Sequence, residues 1–374
     1  MLIINLMPVS AGGGLQNALS FLHQLASKPI SRHVVVACRE GSLIHRCCVE
    51  LALTHEAFPD SLASRIACEL WHLRALGRRC GAQVIFTIFG NPPFNSGSMI
   101  RISGFAYSNI IQREVPFWNF LPPPLRLAKQ AKDLLRLWLA KRSDELILET
   151  DYLRERAMAG VFAGKTLHVV KMEPSLLVTS SVERSADKPR EGGITLLCLA
   201  GAHPNKRVHL LAAVTMHLEK LGVPRRVITT MPPAARYFRQ VEDAFRQAGA
   251  GDKLENLGPI GPGEVAALLR RVDAVVNVAL LESFSNNWVE AWASEKVLIA
   301  TDAEWSRRSC GRAAIYVDPN APAQAALAIA AGMKEREPLL AAGAAQLQEL
   351  SLHGRKIDQY IEIIQRHLQS EGVQ

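Results

Sequence analysis

Short apolar runs separated by helical stretches recur twice along the chain, and no other feature narrows the choice of fold so far. In the first half the runs are 2–7, 33–37, 83–89 and 145–148; in the second they are 194–199, 226–229, 274–278, 297–300 and 314–317. Strands alternating with helices of this length call for parallel sheets with crossover helices on both faces, an α/β architecture. A chain of 374 residues exceeds what one hydrophobic core usually serves, so two domains are expected. The stretch 175–193 is polar and has no apolar period, which marks a linker. The expected division is a first domain over 1–178, a linker over 179–192, a second domain over 193–350 and a C-terminal segment over 351–374. A last helix from His353 onward could cross back to the first domain.

Composition is that of an ordinary globular enzyme, with 48% hydrophobic and 21% charged residues. The opening apolar run is far shorter than the roughly 20 residues a membrane-spanning helix needs, and it lacks a basic leader and cleavage site. It reads as a first buried strand. Seven cysteines form no C-x-x-C pair, so they read as reduced thiols and the expected location is cytoplasmic. A net charge of +8 favours an anionic partner: a nucleoside diphosphate, an anionic membrane or nucleic acid. Few aromatics and no nucleic-acid motif argue against the last. The eleven histidines and seven cysteines show no zinc-like spacing and there is no D-x-D, so no metal or other cofactor is expected.

Three stretches could carry chemistry. Gly12-Gly13-Gly14 follows the first strand, with a helix expected from about Leu15. Glycine lets backbone approach a ligand and a helix start attracts negative charge, although a tight turn alone would also use glycine. Gly201-Ala202-His203-Pro204-Asn205-Lys206 follows the first strand of the second half. There a lysine can meet phosphate at the carboxyl edge of a sheet, or simply sit on a solvated turn. Glu282 and Glu290 flank Ser283-Phe284-Ser285-Asn286 at the start of a helix. Carboxylates can accept from sugar hydroxyls while backbone N–H groups meet phosphate, but two surface glutamates at this spacing are common.

The run from Glu282 to Glu290 resembles the E-x7-E signature of retaining glycosyltransferases of family 4. Asn256-Leu257-Gly258-Pro259, Asp273-Ala274 and the stretch from Cys310 to Pro319 are similar to further family features in the family's order. The resemblance implies the GT-B fold, two Rossmann-like domains facing across a cleft. It implies sugar transfer from a nucleoside-diphosphate sugar with retention of configuration, in the manner of bacterial lipopolysaccharide, O-antigen or capsule enzymes. Carried over residue by residue, Lys206 would meet the donor diphosphate and Glu282 the transferred sugar, the two catalytic candidates. Glu290 would hold the ribose. Ser283, Phe284, Ser285 and Asn286 would line sugar and phosphate, Gly201 would belong to the same loop, and Gly13 or Gly14 would approach the diphosphate from the other domain. The family's Gly-Arg is here Gly201-Ala202, so a second phosphate cation would come from elsewhere, with His203 and Arg207 as candidates, or be missing.

A glycan or lipid-linked glycan acceptor should meet the first domain, where Asn91, Phe105 and Tyr107 are candidates, although the two aromatics also suit a core. Residues 125–142 form a basic amphipathic pattern, with Leu127, Ala131, Leu134, Leu135 and Trp138 on one face and Arg126, Lys129, Lys132 and Arg136 on the other. Such a helix either packs its leucines into the core or lies on an anionic membrane, making the protein peripheral to the inner face of the plasma membrane. The rival functions are a nucleotide-sugar epimerase or phosphorylase on the same fold, and a non-catalytic membrane- or nucleic-acid-binding protein.

Overall fold

The first strand, β1 (Leu2–Asn5), pairs in parallel on both sides, with Leu2 opposite Val34 in one neighbour and opposite Val84 in the other. The computed structural model describes residues 1–10, 12–174, 193–223 and 225–368, so the linker expected at 179–192 lies outside the described residues. Contacts divide the chain into one unit of Met1–Lys171 with His353–Gln374 and a second of Met172–Leu352. The first boundary thus falls at 171, before the 178 expected from the polar stretch.

In the first unit, β2 (Val34–Arg39), β3 (His55–Phe58), β4 (Val84–Thr87), β5 (Ile100–Gly104), β6 (Glu145–Leu148) and β7 (Thr166–Val169) join β1 in the order β3-β2-β1-β4-β5-β6-β7, all parallel. Successive side chains go to opposite faces. Leu2, Ile4, Val34, Val36 and Phe86 pack against Phe21, Leu22 and Leu25 of helix Gly12–Ala26. Ile3, Val35 and Ile85 pack with Leu73, Leu76 and Met99 on the other face. The C-terminal helix Lys356–Gln365 completes the first face, with the Tyr360 ring 5.1 Å from that of Phe86.

The second unit holds β8 (Ile194–Cys198), β9 (Arg225–Thr229), β10 (Leu254–Asn256), β11 (Ala274–Asn277), β12 (Val297–Thr301) and β13 (Ile315–Val317). These form a parallel sheet in the order β10-β9-β8-β11-β12-β13. Strand order reverses between β8 and β11, which opens a crevice at their carboxyl ends, the place where open α/β sheets bind ligands.

Four strands have no counterpart among the apolar runs: β3, β5, β7 and β10. Three are sheet edges and carry little apolar signal. β5 reads Ile-Arg-Ile-Ser-Gly, with a charged and a polar residue inside it and a glycine at its end. Gly104 is obligatory there, since a Cβ would lie 1.8 Å from the Ile88 carbonyl oxygen. All seven cysteines are free thiols, six of them buried. No helix among the described residues is long and apolar enough to cross a membrane.

Candidate active site

Two loops of the second unit meet at its switch point. The loop after β8 turns into a single 3-10 turn, Pro204–Lys206, and Pro204 at its first position supplies the fixed φ such a start needs. His203 caps it, its Nδ1 accepting from the Asn205 N–H at 3.1 Å. That ring nitrogen is therefore engaged by the loop's own backbone in this geometry.

Asn205 is the staple between the loops, and nothing in the sequence singled it out. Its side chain is buried, and it donates to the Leu281 carbonyl at 2.9 Å while accepting from the Leu281 N–H at 3.2 Å. Its own carbonyl accepts from Leu280 N–H at 2.8 Å. The next residue, Lys206, is thereby held beside Glu282, and the two side chains form a part-buried ion pair through Nζ and Oε1. The catalytic candidates, 76 positions apart in the chain, are in direct contact.

Arg207 is the other candidate for the second phosphate cation. It sits in the left-handed region with φ of 50°, a conformation that costs a non-glycine residue about 1 kcal/mol or more. Its guanidinium offsets that strain by bonding the carbonyls of Val278 at 2.9 Å and Ala279 at 3.2 Å and the Thr301 hydroxyl at 3.3 Å. Thr301 in turn donates to the Ala279 carbonyl at 2.7 Å. Burial lowers the Arg207 pKa, with Asp318 and Tyr237 opposing. Nε and one terminal nitrogen of its guanidinium thus hold the loop before Glu282. Burial, with Arg207 adding to it, also lowers the pKa of His209, whose Nδ1 lies 3.1 Å from the Tyr237 hydroxyl.

Beyond Glu282, Ser283 and Phe284 are half-buried and Ser285 is buried. Helix Asn286–Ala293 then begins with no acidic residue in its first turn and no side-chain cap from Ser285. Its partial positive end is therefore not offset by an acidic residue of its own first turn. Asn287 ties the two together, donating to the Leu199 carbonyl at 2.8 Å. Phe284 packs edge-on to Trp288 at 4.9 Å and Trp288 stacks on Trp305 at 5.8 Å, which fixes the helix on its apolar side. Glu290 lies on the same helix but is only 3% exposed, so it presents far less surface than the half-buried Glu282. Gly201 has open space where a Cβ would stand, and its φ is ordinary. Neither backbone conformation nor packing demands glycine at that position.

In the first unit, Gly13 and Gly14 are not a loop before a helix. They lie in the first turn of helix Gly12–Ala26, which starts three residues earlier than Leu15. This turn follows β1 at the switch point between β1 and β4, and Gly90 of the neighbouring loop packs on Pro8, where a Cβ would stand 3.1 Å from that ring. Asn91 is half-buried, and its Oδ1 has no hydrogen-bond partner among the described residues. Phe105 is a core residue at 1% exposure, edge-on to Phe162 at 5.0 Å, so it is unavailable to an acceptor. Tyr107 is half-buried beneath the Arg136 guanidinium, 4.4 Å from the ring centre.

Residues 193–335 match the family described as glycosyl transferases group 1. The chain is similar to the MMP alpha-(1->4)-mannosyltransferase of Mycolicibacterium hassiacum, 28% identical over 191 residues. That match covers 50% of this chain and 41% of the relative, so it spans less than half of that protein's length. Among solved structures it resembles WaaG, a glycosyltransferase involved in lipopolysaccharide biosynthesis, with a TM-score of 0.71 and 14% identity over 100% of both chains. It also resembles Anabaena HepE in complex with UDP-glucose, with a TM-score of 0.67 and 12% identity over 98% of each chain. The likenesses to solved structures place both units of the chain in the GT-B fold.

Proposed function

Because residues 193–335 form a domain of the group 1 glycosyl transferases, we propose that this chain transfers a sugar from a nucleoside-diphosphate sugar to a glycan or lipid-linked glycan. The observation that carries the reading is the contact between Lys206 and Glu282 at the switch point of the second sheet, beside the uncapped start of helix Asn286–Ala293. Breaking the bond between sugar and diphosphate leaves negative charge on the departing phosphate. A fixed ammonium and a helix N-terminus stabilise that charge without reorganising, in the place a metal occupies in other transferases. Glu282, aimed by Asn205 and Arg207, accepts from hydroxyls of the transferred sugar once Lys206 turns to the phosphates. Open space at Gly201 admits the diphosphate close to backbone.

Retention of configuration and a role in surface polysaccharide assembly belong to the same proposal and rest on the resemblance to family 4. HepE is solved with UDP-glucose, which makes uridine diphosphate the first nucleotide to try. The test is a thermal-shift series with UDP, GDP, dTDP, ADP and CMP on the native protein, Lys206→Ala and Glu282→Gln. One nucleoside diphosphate should raise the native melting point, and Lys206→Ala should weaken its binding by about 10- to 100-fold, the worth of one charge-assisted hydrogen bond. Glu282→Gln should keep that binding and lose turnover. Equal nucleotide response and turnover in all three proteins would falsify the site.

A further inference from the structure

Helix Pro123–Ala140 is turned inside out. Its inward side carries charge: Asp133 accepts from Asn109 Nδ2 and Trp118 Nε1, each at 2.6 Å, and from Arg136 at 2.8 Å. Arg126 donates to the carbonyls of Asn119 and Leu121 at 3.2 Å. Only Leu137 and Ala140 of the helix are buried. Four of its apolar side chains face away from the protein, with Leu127 66% exposed, Leu134 62%, Leu135 55% and Trp138 48%. Of the two fates open to this helix in the sequence, packing into the core is therefore the one the structure contradicts. A long helix that spends its polar side on the protein and leaves its apolar side in water is a binding surface, because a contiguous apolar patch in water is costly.

We propose that this face docks on an anionic lipid bilayer. Charge selects the occupant. Lys132 and Lys141 are exposed and flank the stripe at helical spacing, Lys129 lies on the other face over the Trp118 ring at 5.4 Å, and the helix's one acid, Asp133, is turned inward and already bonded. Residues 123–142 hold six cations and one acid in a chain whose net charge is +8. Leucine and tryptophan entering the acyl boundary while lysines reach the headgroups is the arrangement of an interfacial helix. The apolar surface continues past the helix end, where the Phe94 ring lies 6.0 Å from Trp138 and Arg142 stands over both. Phe94 itself is exposed. A second copy of the chain is a poorer occupant, since a two-fold contact sets each patch against itself and brings lysine rims together with no acid between them.

This surface goes beyond sugar transfer and does not depend on it. The test is flotation of the full chain with phosphatidylcholine vesicles, with and without phosphatidylglycerol, for the native protein, a Leu127→Gln/Leu134→Gln variant and a Lys132→Glu/Lys141→Glu variant. All four residues are exposed, and unchanged melting points verify that both variants fold. The native protein should float with the anionic vesicles, and either variant should lose at least about tenfold in bound fraction. The lysine variant should also lose the preference for phosphatidylglycerol. Native protein that stays unbound, or leucine-variant binding equal to native, would overturn the proposal. So would a native dimer in size-exclusion chromatography that the leucine variant abolishes, which would assign the stripe to a second copy.

Discussion

Removing the Asn205 side chain tests whether the two loops of the candidate site are held by the bonds described. Asn205→Ala deletes both side-chain bonds to Leu281 and leaves the Leu281 N–H and carbonyl, on a residue 1% exposed, without those partners. Each orphaned buried group costs about 1–3 kcal/mol, so a loss of roughly 2–4 kcal/mol is expected after partial relaxation. In a domain of this size about 1 kcal/mol moves Tm by 2–4 °C, so the variant should melt roughly 4–16 °C lower. Activity should fall further than stability explains, because Glu282 follows directly on Leu281 and a displacement of about 1 Å can cost on the order of a hundredfold in rate. Differential scanning calorimetry and a transfer assay below the melting range separate the two effects. A variant that melts within about a degree of the native protein and transfers sugar normally would refute the claim that Asn205 positions the site.

Two glycines should part company. Gly104→Ala drives a Cβ into the Ile88 carbonyl and should cost at least about 3 kcal/mol, whereas Gly201→Ala should stay within about 0.5 kcal/mol of native stability yet weaken nucleotide binding. Comparable melting points for the two would contradict this assignment. For His209, burial lowers the folded pKa below its ordinary value, so the unfolded chain takes up the proton first as pH falls below about 6.5. Its contribution to stability is therefore full above that pH and shrinks below it. In urea melts at several pH values His209→Gln should show a shallower loss on acidification, and parallel curves would exclude His209 as the source.

How much was legible beforehand varied with the range of the physics involved. Strands buried on both faces, such as β1, β4, β11 and β12, announced themselves because a run of apolar side chains is a local property of the chain. Three of the four edge strands, β3, β7 and β10, were silent because they are short and only partly buried, whereas the edge strand β13 carried an apolar run. At the site, the stretch around Lys206 and the pair of glutamates could be found from residue type and order. Their meeting could not, because it depends on which strands neighbour each other at the reversal of sheet order.

What the amino-acid sequence determined alone was therefore the alternating α/β architecture, the domain count and the loops in which charge and glycine concentrate. Tertiary structure decided the rest: Phe105 enters the core, Arg207 turns inward to loop carbonyls, Asn205 becomes the staple, and Leu127, Leu134 and Leu135 of helix Pro123–Ala140 face water. The periodicity of that helix defines an apolar face and a basic face without saying which one meets the protein. That choice belongs to Asn109, Trp118 and Tyr107, residues distant in sequence whose polar groups and ring capture Asp133 and Arg136 and so turn those leucines outward.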